Sequence, residues 1–394
     1  MAIALVVGLA TACQLIAPRL RIPALILLLP AGFLLGLLAP QFRFDMILGP
    51  AFPAVVDLVV AVILFQGGLD LASSALADPD QRIVRRLVWV GGALTFVGAS
   101  IAAHVILDLE WPIAIMLGAI VIVSGPTVVT PILDFTGLRG RVRGILQWEG
   151  TILDPIGALV AVVVFQVIRA SGAESLAEAA VSFAAGLLVG VAAAAVGVLL
   201  FVIGGKLVRG NELLGTQVLL GSVIVTAGLA NVIAEDAGLL AALLMGMAAP
   251  PIARRFGASL ESSQGFFGTI VSIGIGVLFI SIAALVPAEM VATVLLPTLA
   301  LALVLIVVLR PLVVLVGTAR TNLTTRERIF IACMDPRGIV AAATASSVGA
   351  ALIASGIPGA GKLLPVAFLI VAFTVAVYGL CAVPVARLLR LTAD

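Results

Sequence analysis

Two carboxylates, Glu149 and Asp154, lie inside one apolar run, residues 145–169. An ionised acid at bilayer depth costs several kcal/mol, so it is rarely found there without a partner or a task. The two acids are five positions apart. At about 100° per residue they point about 140° away from each other around a helix. They cannot easily share one ion, so they take different roles. Asp154 stands three residues after Thr151, on nearly the same face, and is followed by Pro155. Glu149 is free to meet a cation on another segment, and Arg337 is a strong candidate because it is always charged and needs a counter-ion in a membrane. A second group is Ser124-Gly125-Pro126-Thr127. Glycine and proline there interrupt a helix and release carbonyl oxygens, and Ser124, Thr127 and Thr130 add hydroxyls. Oxygen-only ligands suit a hard cation such as an alkali ion. Asp154 and Thr127 are therefore the candidate metal-ion ligands, with Ser124 and Thr151 beside them. The plainer alternative has the hydroxyls bonding back to their own helix and the two acids bridging helices. One arginine cannot easily neutralise Glu149, Asp154 and Asp335 together, which counts against it.

Other polar residues are secondary candidates. Gln66 and Asp70 share the run 52–72, where Gln66-Gly67-Gly68 permits close helix approach. Asp57 and Asp70 also read as boundary acids. Asp335 precedes Pro336 and Arg337, and Arg310 before Pro311 is either a second buried cation or a sign that its run is two pieces. His104 reads as structural. Cys13, Cys333 and Cys381 read as small hydrophobes. Nothing resembles a redox centre, a nucleophile with its base, a phosphate loop or a nucleic-acid patch, so the residues imply no enzyme and no cofactor.

These residues need elements to hold them at depth. The chain is 62% hydrophobic and 11% charged, which excludes an ordinary soluble domain, where about 25% is charged. Apolar runs of about 20 residues without period-two alternation are membrane helices rather than barrel strands. The expected spans are 2–17, 22–39, 52–72, 86–107, 111–132, 145–169, 178–208, 213–233, 237–253, 265–286, 289–318, 327–354 and 361–389. Basic residues concentrate in the odd-numbered connections, with Arg82, Arg85 and Arg86 after the third span and Arg139, Arg141 and Arg143 after the fifth. Arg21 and Arg209 belong to the same set. The even-numbered connections hold only Arg43, Arg169 and Lys362. The positive-inside rule then places the odd connections and the C-terminus in the cytoplasm and the N-terminus outside.

About thirteen spans decompose into two inverted six-helix repeats, residues 1–175 and 211–394, joined by a linker helix at 176–210. The strongest internal breakers, Ser124-Gly125-Pro126-Thr127 and Met334-Asp335-Pro336-Arg337-Gly338, fall in the fifth and twelfth spans, matching members of the two repeats. At 1.5 Å per residue, Asp154 lies about 14 Å from the start of its span, Gly125 about 21 Å and Arg337 about 15 Å. In a core about 30 Å thick all three are near the midplane. The expected fold is an all-α polytopic membrane protein with discontinuous fifth and twelfth spans.

At this point the chain resembles the bacterial monovalent cation/proton antiporters of the sodium/proton exchanger type. Phe65-Gln66-Gly67-Gly68, Ser124-Gly125-Pro126-Thr127, Trp148-Glu149-Gly150 through Asp154-Pro155-Ile156-Gly157, and Pro336-Arg337-Gly338 carry the resemblance. It implies crossed discontinuous helices, a homodimer, and rocking of a transport bundle against a dimerisation bundle. It also implies that Asp154 alternately binds cation and proton, and that Glu149 pairs with Arg337. Several positions depart from the family pattern. Leu153 stands where many relatives have Asn, Gly125 where they have Asp, Gln66 where they have Glu, and Asp335 where a small residue is expected.

The expected activity is secondary active transport across a bacterial inner membrane. One cation (Na+ first, K+ or Li+ next) exchanges for one proton, electroneutrally, by alternating access. Partners are the ions, the lipid bilayer and a second copy of the chain, without nucleic acid. The rival readings are an ion-coupled transporter of a small organic anion, which Arg337 and the half-helix ends would hold, and a channel.

Overall fold

Helices form along the apolar runs and stop where glycine, proline or charge interrupts them. The computed structural model describes all residues except Met1, Arg21, 74–77, Arg139, 170–173, 209–210, 256–260 and 392–394. Arg21, Arg139 and Arg209 of the basic connections thus lie outside the described residues. The first helices are α1 (Ala2–Leu20), α2 (Leu25–Leu38) and α3 (Phe52–Ser73). Next, α4 begins over Asp78–Arg86, passes a π-turn at Leu87–Gly91 and continues over Gly92–Leu107. Then come α5 (Trp111–Ile122), α6 (Pro126–Thr136), α7 (Arg141–Arg169), α8 (Glu174–Leu207), α9 (Glu212–Ile233), α10 (Ala237–Arg255) and α11 (Glu261–Ala284). Helix α12 runs over Ala288–Val304, a π-turn at Leu305–Leu309 and Arg310–Gly317. The last are α13 (Thr325–Ala332), α14 (Ile339–Ala354) and α15 (Leu363–Leu388).

Among the described residues, ten helices are long and apolar enough to cross a membrane, or eleven with the bent pair α5–α6 as one span; α2 and α14 are shorter and apolar. The protein is an all-helical, multi-pass membrane protein.

Boundaries moved where a purely apolar criterion fails. Helix α1 continues through Pro18 to Leu20. Helix α4 starts at Asp78, ahead of the apolar run at 86. Ile83, Val84, Leu87 and Val88 are buried while Arg82, Arg85 and Arg86 are exposed. That is one apolar stripe on a charged helix, which mean hydropathy does not register. The fifth and twelfth spans are each broken, as their Gly-Pro and Asp-Pro-Arg-Gly sequences require.

The chain divides into two compact units, one of residues 1–50, 76–161 and 276–394, the other of 51–75 and 162–275. Both units draw helices from each sequence half. In the second unit α3 and α10 touch backbone to backbone. A Cβ on Gly246 would overlap the Phe65 carbonyl and lie 3.0 Å from Gly68 Cα. Only glycine permits that approach, so Gln66-Gly67-Gly68 does what its composition suggested.

In the first unit the start of α7 is fixed by charge. Arg141 Nη2 donates to Asp80 Oδ1 at 2.6 Å and to Asn322 Oδ1 at 2.8 Å. Helix α13 begins with a reciprocal cap. Glu327 N donates to Thr324 Oγ1 at 3.3 Å, and Thr324 N donates to Glu327 Oε2 at 2.7 Å. These contacts hold α7 and α13, the elements that carry Glu149 and lead into the second break.

Candidate functional site

The break between α5 and α6 is residues 123–125, and the two half-helices bend by 45° there. Pro126 occupies the first turn of α6, where its missing N–H is no loss. Gly125 is the N-cap, extended at φ −100° and ψ 155°. The second break, residues 333–338, separates α13 from α14, whose N-cap is Gly338. The two breaks meet. A Cβ on Gly338 would stand 3.1 Å from Gly125 N and 3.5 Å from Thr127 Oγ1. Ser124 Oγ also reaches the Pro336 carbonyl, at 3.5 Å.

Asp154, fully buried on α7, lies against this crossing. A Cβ on Gly125 would overlap Asp154 Oδ2 and lie 2.9 Å from Asp154 Cγ. The carboxyl thus fills the space that any side chain at 125 would need. It faces the N-terminus of α6, the positive end of a helix dipole, which favours an anion. Neither Asp154 oxygen has a hydrogen-bond partner, nor has the buried Thr127 Oγ1. Three buried oxygens without partners at one crossing are costly unless something else satisfies them. Hard oxygen donors fit an alkali cation or, at the carboxylate, a proton. Thr151 is buried too, and its Oγ1 donates to the Gln147 carbonyl at 2.7 Å, which leaves its lone pairs free. Leu153 turns elsewhere: its Cδ2 is 3.5 Å from where a Cβ on Gly92 of α4 would be.

Glu149 corrects the sequence reading. Its partner is Arg310 and not Arg337. Arg310 Nη1 donates to Glu149 Oε1 at 2.5 Å and Nη2 to Oε2 at 3.0 Å, a bidentate pair with both side chains buried. Arg337 instead donates from Nη2 to Asp335 Oδ2 at 2.5 Å, from Nη1 to the Ile122 carbonyl at 3.2 Å, and from its backbone N to Thr374 Oγ1 at 3.2 Å. The reason is local. The nonhelical backbone of 333–338 lets Asp335 fold back onto Arg337 two residues on. The π-turn at 305–309 sets the register at which Arg310 emerges. A lone arginine inside an apolar run was the available signal; of the two readings left open for Arg310, a second buried cation or a run in two pieces, the structure shows the buried cation.

Both arginines also serve helix ends. Ile122 is the last residue of α5, and Arg310 Nε donates at 3.1 Å to the carbonyl of Ile331, next to the end of α13. Each break therefore has a guanidinium on the negative end of its first half-helix.

Of the remaining candidates, Gln66 and Asp70 lie in the second unit. Gln66 Nε2 donates to Asp70 Oδ1 at 2.8 Å, and buried Gln66 Oε1 has no partner. His104, in the first unit, lies 2.7 Å through Nδ1 from the Leu109 carbonyl and stacks on Trp111.

Comparisons with known proteins agree with this architecture. Two curated bacterial relatives are 26% identical to the chain. One is the K(+)/H(+) antiporter NhaP of Alkalimonas amylolytica, matched over 96% of this chain, and the other is the K(+)/H(+) antiporter NhaP2 of Shewanella sp. (strain ANA-3), matched over 95%. The chain spans 64% of the length of each. The solved structure of the sodium proton antiporter MjNhaP1 from Methanocaldococcus jannaschii superposes with a TM-score of 0.80 over 100% of this chain and 99% of that one, at 22% identity, a likeness of fold. The sequence profile described as "Sodium/hydrogen exchanger, transmembrane" matches residues 1–388, so the chain belongs to the sodium/hydrogen exchanger family.

Proposed function

We propose that this protein is a secondary transporter that exchanges one monovalent alkali cation for one proton, with Asp154 carrying either ion in turn. The observation that carries this is the buried Asp154 carboxyl, without a hydrogen-bond partner, at the same crossing as the equally unpartnered Thr127 Oγ1. A cation bound there would take Asp154 and Thr127 as ligands, with Ser124 and Thr151 hydroxyls and break carbonyls in reserve. A proton on Asp154 replaces it. Alternating access then presents the occupied carboxyl to one side of the membrane and the other. The names of the two bacterial relatives put K+ beside the Na+ expected from the sequence.

The charge count supports one-for-one exchange. Asp80 is buried but paired with Arg141; near the two breaks, two buried guanidinium groups, Arg310 and Arg337, stand against three buried carboxylates, Glu149, Asp154 and Asp335. With Glu149 and Asp335 already paired, ionised Asp154 leaves one negative charge. One proton or one monovalent cation cancels it. The organic-anion reading loses support here, because Arg337 already holds Asp335 and the Ile122 carbonyl. The proposed setting is a bacterial inner membrane with the N-terminus outside, as a homodimer whose chains are each built from two inverted repeats.

The test is proton flux driven by Na+, K+ or Li+ gradients in proteoliposomes. Asp154→Asn should abolish flux with every cation, while the protein still reconstitutes. Full flux in that variant would remove Asp154 from the mechanism.

A further inference from the structure

The two buried arginines are arranged alike, but only one of their acids belongs to the family pattern seen in the sequence. Glu149 holds Arg310, and Asp335 holds Arg337. We propose that Asp335 is a positioning residue for exchange: it keeps the Arg337 guanidinium on itself and on the Ile122 carbonyl, so that Asp154 must take its counter-charge from a transported ion. This inference rests on the reading of Asp154 as the exchange site.

Three observations carry it. Arg337 is anchored at the same crossing that Asp154 abuts, since neighbouring Gly338 lies against Gly125, and Gly125 lies against the Asp154 carboxyl. Arg337 Nε is buried without a partner, so the guanidinium has donor capacity left over. Asp335 is itself buried and bonded to Nη2, which makes it the acid that neutralises this cation. Remove that one negative charge and the charge count changes in kind. Arg310 remains matched by Glu149, while Arg337 and Asp154 are left as an unpaired cation and an unpaired anion at one crossing. Attraction between such charges is strong away from bulk water. The long, flexible arginine would then act as a resident counter-ion and compete with the transported cation for Asp154.

The experiment measures KM and maximal rate for Na+- and K+-driven proton flux in proteoliposomes, with the whole chain and at fixed pH. The variants are Asp335→Asn, Asp335→Glu, and Asp335→Asn combined with Arg337→Gln. Asp335→Asn should raise the KM for the driving cation by about tenfold or more. Asp335→Glu should stay within about threefold of the unmodified protein. The double variant, which removes the freed guanidinium as well, should recover most of the lost apparent affinity. Cation-induced thermal stabilisation of the purified proteins supplies a readout without transport: present in the unmodified protein, lost in Asp335→Asn, regained in the double variant. An Asp335→Asn protein that fails to fold beside a double variant that folds and exchanges with the unmodified KM overturns the proposal, because Asp335 then only neutralises a buried cation. An unchanged KM in Asp335→Asn, or a double variant as impaired as the single one, overturns the proposal and leaves Asp335 a structural residue. Absence of exchange in the unmodified protein would strike the reading of Asp154 instead.

Discussion

Arg310 and Arg337 each sit on the carbonyl end of a half-helix and each carry an acid of their own. A buried pair of this kind adds little net stability, but removing one partner strands a charge. Glu149→Gln should therefore destabilise the protein by about 3–5 kcal/mol, and Glu149→Gln with Arg310→Met by clearly less. Thermal or denaturant unfolding in detergent checks both, and equal losses in the two would show that Arg310 is needed for its bond to the Ile331 carbonyl more than for its charge. The acids were legible in the sequence at this scale, and so was their divergence around the helix. Helical phase alone turns Glu149 away from Asp154. The choice of arginine was not legible. It depends on a π-turn before Arg310 and on six nonhelical residues around Asp335, and neither obeys a fixed angle per residue.

At the scale of elements, both breaks were visible because glycine and proline act on the backbone directly, whatever surrounds them. Helix starts were less visible where a charged amphipathic turn precedes the apolar run, as at Asp78–Arg86. The connection between α9 and α10 holds a feature that no pattern announced. Asp236 there adopts a left-handed φ of 61° and is half-buried. Burial, and then the carboxylates of Asp57 and Glu235, push its carboxyl up to about 7. The unfolded chain releases this proton near the ordinary value of about 3.9. Between those two values the folded protein holds more protons than the unfolded one. The contribution of Asp236 to stability is therefore full below roughly pH 4 and is lost as the pH rises to about 7. Asp236→Asn keeps a residue that tolerates left-handed backbone and removes the charge. Its melting temperature should fall less between those pH values than that of the unmodified protein, and parallel curves would exclude Asp236 as the source.

For the whole molecule, the sequence revealed the class, the all-helical architecture and the family, because mean hydropathy and a handful of breakers suffice for those. Contact-based units were not legible, since each draws on both sequence halves. The buried charge balance is a property of the molecule that only the assembled pairs disclose. If one positive charge neutralises Asp154 in every switch, turnover moves no net charge. Na+-driven proton flux at one fixed K+ gradient should then be the same with valinomycin, which turns that gradient into a membrane potential, and without it. Generation of a potential by the protein itself would break the one-for-one count.

The two π-turns, at Leu87–Gly91 and Leu305–Leu309, have a genetic corollary. A π-turn is a helix carrying one residue more than its α-helical register holds. Deleting a single residue between 305 and 309 would let the helix relax to α with its two parts keeping their facing, because the π-turn already absorbs the extra residue. Arg310 would still meet Glu149, whereas a one-residue deletion in the regular helix just before the turn, as at 300–304, would swing Arg310 by about 100° and break the pair. Where relatives are aligned through this stretch, a one-residue gap within 305–309 is therefore compatible with this pairing, and a gap just outside it is not.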